Sequence, residues 1–101
     1  MKKQRRELKD LISVGAATVR DFDRLGIRSV AKLARQDPQA LYDKFNRLSG
    51  QSHDICLLDV FRAAVAQARS PRLRPEQRQW WWWSKKRKTA AAAKSGEESP
   101  V

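Results

Sequence analysis

The sequence predicts an all-α domain of five to six helices, and three observations carry that prediction. No segment alternates apolar and polar residues with period two over the length of a strand. Apolar residues recur instead at helical spacing, most clearly in DICLLDVFRAAVAQAR, residues 54–69. Gly, Pro, Ser and Asp fall where helices would start and stop. The 101 residues, 41% of them hydrophobic, suffice for one modest core.

The elements are taken in chain order. A first helix is expected from about Gln4 to Ile12, with Leu8, Leu11 and Ile12 on its inner face, breaking at SVGA, residues 13–16. A second carries Val19 and Phe22 inward and ends at Leu25-Gly26-Ile27, where Gly26 can enter the left-handed region without steric cost. Ser29 caps a short helix with Val30, Leu33 and Ala34 inside. Asp37-Pro38, a cap followed by proline at the first helical position, opens a helix bearing Leu41, Tyr42, Phe45 and Leu48 and closing at Ser49-Gly50. After the loop GQSHD, Asp54 caps the long central helix, whose stripe is Leu57, Leu58, Phe61, Ala64, Val65 and Ala68. Asp59 and Arg62 read as a surface pair on it. SPRLRP is a connector, and PEQRQWWWW reads as one further helical piece. From Ser84 the composition loses every apolar stripe, so residues 84–101 are expected to be a flexible, basic, Ala-rich tail behind a domain spanning 4–83.

Charge narrows the partner. The chain has 22 Lys and Arg against 11 Asp and Glu, a formal charge of +11, and a pI near 10.7. Such a surplus suits a polyanion. Cys56 is the sole cysteine and His53 the sole histidine, so neither an internal disulfide nor a multi-His metal centre can form. The basic start has no continuous apolar run behind it and is not read as a signal peptide. No Gly-rich nucleotide loop and no carboxylate constellation points to catalysis. A non-enzyme without cofactor or metal is expected, in the cytoplasm.

The segment LISVGAATVRDFDRLGIRSVAKLA, residues 11–34, carries most information. Its apolar, small, apolar, Gly, small order resembles the helix-hairpin-helix motif, with Ser13 in place of the usual first glycine. In that motif a hairpin at a helix N-terminus presents unpaired N–H groups, reinforced by the helix dipole, to a phosphate. Ser13, Val14, Gly15, Ala16, Ala17, Thr18 and Arg20 are the candidate DNA-binding residues there. Of two basic clusters, Lys2, Lys3, Arg5 and Arg6 flank the first helix, and Lys85, Lys86, Arg87 and Lys88 join the candidates. Helix ALYDKFNRL, loop SGQSHD and helix ICLLDVFRAAV repeat the arrangement in degenerate form. Two such units with a connector helix would make a tandem helix-hairpin-helix domain of SAM-like type.

The succession SVGAATVRDFDRLGI, LARQDPQALYDKFNRLSG, HDICLLDVFRAAVAQAR and WWWWSKKR resembles the bacterial pathogenicity-locus family of small helix-hairpin-helix proteins, some of them labelled mitomycin-resistance proteins. The resemblance spans residues of about 5–88. It implies DNA binding. Contacts through hairpin amides would grip the phosphate backbone of double-stranded DNA without reading sequence. With no catalytic constellation, the expected role is a nucleoid-associated accessory factor in DNA repair or protection. The alternative partner is a protein docking on the tryptophans; a membrane surface is the weakest of the three. The resemblance also implies a WWxW pattern that makes Trp80, Trp81 and Trp83 the usual positions and Trp82 the extra one. Two or three of these indoles are expected to fold over the central helix and close the core, with at least one left partly exposed.

Overall fold

The computed structural model describes residues 6–98, and among them every regular element is helical. Five α-helices form: α1 (Ala16–Arg24), α2 (Val30–Leu33), α3 (Pro38–Ser49), α4 (Cys56–Arg69) and α5 (Trp80–Glu98). The expected first helix is the first correction. Where it falls on described residues, the chain makes only a 3₁₀ turn, Leu8–Asp10, and is extended by Leu11. Asp10 turns back to accept the Glu7 N–H at 2.8 Å, which closes the turn on itself. The Ile12 backbone is taken by a side chain from α4 and cannot join a helical ladder. Leu8 and Leu11 reach the core as expected, but Ile12 is exposed. Gln4 and Arg5 lie outside the described residues.

The caps obey local chemistry. α1 ends at Gly26, φ 80°, with Gly26 N–H bonded to the Asp23 carbonyl at 3.0 Å and Ile27 N–H to the Phe22 carbonyl at 2.8 Å. Ser29 Oγ accepts the Lys32 N–H at 3.1 Å and starts α2. Asp37 accepts the Gln39 N–H at 3.3 Å, Pro38 takes the first position of α3, and Gly50, φ 70°, ends it. Leu41, Tyr42 and Phe45 are buried, whereas Leu48 is 57% exposed at the rim of a recess it shares with Arg24, Gln51 and His53.

α4 is the centre of the core. Phe61, fully buried, meets the rings of Phe22 at 5.3 Å and Phe45 at 6.4 Å, and Leu58, Ala64, Val65 and Ala68 continue its stripe. α2, α3 and α5 all pack against this helix. PEQRQWWWW is two pieces rather than one: a 3₁₀ turn, Pro75–Arg78, then the extended Gln79, then α5.

The tail expectation is corrected too. The helix that starts at Trp80 runs through Ser84 and the alanines to Glu98. The cause is a buried ion pair: Asp59 on α4 has no exposed side-chain surface, and Arg87 Nη2 lies 2.9 Å from its Oδ2. The high helix propensity of alanine sustains the turns beyond Arg87. Asp59 is therefore a core residue and not half of a surface pair, although Arg62 also reaches it at 3.9 Å. Because Gln67 near the end of α4 meets Arg78, and Asp59 near its start meets Arg87, α4 and α5 run antiparallel. The buried polar residues Asp59, Gln67 and Ser84 all lie on this seam. No buried side-chain nitrogen or oxygen among the described residues lacks a hydrogen-bond partner.

None of the four tryptophans is buried, so the expected aromatic lid is not what closes the core. Trp80 and Trp81 are exposed, and Trp82 and Trp83 are half-buried. Successive helical residues point about 100° apart, and the seam positions on α5 go to small Ser84 and to Arg87. The Trp83 indole donates to the Gln77 carbonyl at 2.8 Å and meets Trp82 edge-on at 4.9 Å.

Candidate nucleic-acid interface

The turn before α1 uses its residues differently from the sequence reading. Gly15 has φ −94° and ψ −175°, extended backbone that any residue can adopt. The left-handed residue is Ser13, φ 71°, at the position where the motif usually has glycine. Left-handed backbone costs a non-glycine residue roughly 1–2 kcal/mol. Ser13 Oγ offsets that by accepting the Trp80 N–H at 3.0 Å and donating to the Arg78 carbonyl at 3.4 Å, which ties the turn to the first residue of α5. Val14, one of the candidate DNA-binding residues, is buried and seats the turn.

Gly15 is the N-cap of α1 and brings no side chain to it. The first helical bond runs from Val19 N–H to the Gly15 carbonyl at 3.0 Å, which leaves the Ala16, Ala17 and Thr18 amides without helical partners. Gly15, Ala16 and Ala17 are exposed and Thr18 is half-buried. A Cβ built on Gly15 would meet nothing within 4 Å. Arg20, one turn beyond Ala16 on the same face, is exposed. It lines a recess of about 520 Å³ with Lys9 and Arg28, but Glu7 and Asp23 hold those two cations.

The turn is fixed to α4 by a side chain that sequence reasoning missed. Gln67 Oε1 accepts the Ile12 N–H at 2.9 Å, while its Nε2 donates to the Ile12 carbonyl at 2.8 Å and to the Arg78 carbonyl at 3.3 Å. Arg6 adds a bond to the Gln67 carbonyl at 2.9 Å. The signal was a lone amide within the apolar stretch of a central helix.

The corner before α4 is closed. Asp54 accepts the Cys56 N–H at 2.8 Å, the capping role the sequence predicted, and that bond holds its carboxyl below the usual carboxylate range. The same carboxylate pushes the half-buried Cys56 thiol up, with burial adding to it, so the thiol keeps its proton at neutral pH. His53 fills the loop: its N–H meets Asn46 Oδ1 at 3.0 Å, its ring nitrogen Ser49 Oγ at 2.8 Å, its ring Phe45 at 4.7 Å, and its carbonyl the Tyr42 hydroxyl.

The second basic cluster is split. Lys85, Lys86 and Lys88 are exposed on α5, whereas Arg87 is committed to Asp59, at 3.2 Å through Nε and 2.9 Å through Nη2. That pairing raises the Arg87 pKa further and takes its guanidinium away from any phosphate. The candidate residues thus fall in two places, joined where Ser13 touches Trp80. Lys2, Lys3 and Arg5 lie outside the described residues.

Residues 1–89 match the family model described as Pathogenicity locus. The chain is also similar to Mitomycin resistance protein McrB from Streptomyces lavendulae, 41% identical over 69 residues, which are 68% of this chain. The chain spans 66% of that relative's length, just under two thirds. No solved structure is similar to it. With nearly nine-tenths of its length matched, the chain belongs to the pathogenicity-locus family.

Proposed function

We propose that this protein binds double-stranded DNA along its phosphate backbone, without reading sequence, as a non-enzymatic accessory factor in DNA repair or protection on the bacterial nucleoid. The proposal takes the fold as a tandem helix-hairpin-helix domain of SAM-like type, with α2 as the connector between the turns before α1 and α4. The observation that carries it is the N-terminus of α1: exposed, without a side-chain cap, and followed one turn later by Arg20. Amides and helix dipole there favour a bound anion, and a chain of net charge +11 draws a polyanion towards it. Lys85, Lys86 and Lys88 add cations on α5. The relative named for mitomycin resistance fits a protective role.

A random duplex titrated across a salt series tests the reading. Binding through several phosphates requires log K to fall with log salt at about 0.9 per phosphate neutralised. Absence of binding at low salt refutes it. Gly15→Val, which has open space for its side chain and an unstrained φ, should keep the helical content and weaken the duplex by shielding the amides.

A further inference from the structure

We infer that the outer face of α5 is a second nucleic-acid site, specific for single strands, in which Trp81 and Trp82 stack on bases while Lys85 and Lys86 hold the neighbouring phosphates. It shares Lys85 and Lys86 with the duplex reading and adds the indoles beside them, but does not depend on the turn before α1.

Ser84 and Arg87 mark the side of α5 that docks on α4. At 100° per residue, the opposite arc carries Trp81, Lys85, Thr89, Trp82 and Lys86. Trp81 is 48% exposed, a large indole area to leave in water without a partner. Trp82, Lys85, Lys86, Thr89 and Ala90 line a shallow recess of about 440 Å³. The Lys86 ammonium sits 5.1 Å from the Trp82 ring centroid, so cation and π-face occupy one small area. No carboxylate occurs in residues 80–94.

Indole faces beside ammonium groups match the two halves of an unstacked nucleotide, its base and its phosphate. A duplex keeps its base faces stacked inside, so the aromatic half of this surface has a use only with a single strand. A helix lying in a membrane interface places aromatic and aliphatic residues on one face and cations on the other. Here they share a face, and the apolar residues among 84–94 are all alanines.

The test uses the intact chain, a dT oligonucleotide, and two readouts, tryptophan fluorescence and anisotropy. The oligonucleotide should quench the indoles, and Trp81→Ala with Trp82→Ala should weaken its binding by about tenfold or more while duplex affinity holds. Lys85→Gln with Lys86→Gln, both at exposed positions, should reduce the salt slope for the oligonucleotide by about 1.4, at about 0.7 per cation. This second pair carries the test should the tryptophan variant unfold. Unchanged oligonucleotide affinity in both pairs overturns the inference. So does quenching by phosphatidylserine vesicles or by polyglutamate in the absence of quenching by dT. Loss of duplex binding with dT binding intact would remove the reading of the α1 turn and leave this site standing.

Discussion

At the start of α1 the cap is Gly15, which brings no side chain, and the next two residues are exposed alanines. At the start of α4 the carboxylate of Asp54 already lies over the Cys56 amide. Both helices present the same backbone chemistry at this end, unpaired N–H groups and the positive pole of the dipole. One is left open to an outside anion, and the other carries its own. The two corners also differ in what holds them. Tyr42, Asn46 and Ser49 fix the second from 11, seven and four residues away. Gln67 and Trp80 hold the first across 55 and 67 residues. The two corners thus share a helical frame, while their caps decide which amides stay open.

The largest perturbation of this contrast is Arg87→Ala. It strands the buried Asp59 carboxylate and should lower Tm on the order of 15 °C. Hydrogen exchange should then rise more at the turn before α1, which is tied to α5, than at the corner before α4. Adding Asp59→Leu to Arg87→Met should recover most of the loss, since a packed apolar pair avoids the stranded charge. If the double variant is no better than Arg87→Ala, the pair is not what docks α5.

Next is Gln67→Leu, which removes both bonds to Ile12 and should cost about 2 kcal/mol in denaturant unfolding. Duplex affinity should fall with it, as the open turn loses its anchor. An affinity unchanged at full folding would separate the amide site from this anchoring.

Asp54→Ala should lower Tm by about 5 °C and raise duplex affinity, because it uncovers the second helix end. The carboxyl is lowered in the folded state, so its contribution is complete above the ordinary carboxylate range and fades as pH falls through the folded value. The gap between wild type and Asp54→Ala should therefore close only in acid, below about pH 4.

The smallest effect concerns Ser13. Ser13→Gly relieves the left-handed φ and loses the tie to Trp80, two terms of about 1 kcal/mol and opposite sign, so its stability should barely change. Ser13→Ala loses the tie without relief and should be about 1 kcal/mol less stable than Ser13→Gly. Equal stabilities would mean that Ser13 bears no strain.

The frame was legible because it rests on neighbours in sequence. Ser29, Asp37 and Asp54 cap amides two or three residues ahead, and Gly26 sits where the chain must turn left-handed. The apolar stripe of α4 comes from spacing alone. Ile12 and Leu48 were misplaced because periodicity ranks positions on a face without showing where a helix fails to form or a core ends. At the candidate site, the exposed amide end of α1 was legible from SVGA, but the roles of Ser13 and Gly15 were exchanged. The positive φ falls at Ser13, where a hydroxyl reaching Trp80 compensates for it, and not at Gly15.

By itself, then, the sequence determined an all-helical chain, its caps, its central helix and its surplus of positive charge, since each depends on residue type and short-range spacing. Only the tertiary structure decided that Asp59, Gln67 and Ser84 form a buried polar seam, that Arg87 belongs to it, and that none of the four tryptophans is buried in the core. Those outcomes turn on partners distant in the chain. A buried carboxylate needs a cation wherever one can be brought, and Arg87, 28 residues on, is the one α5 delivers.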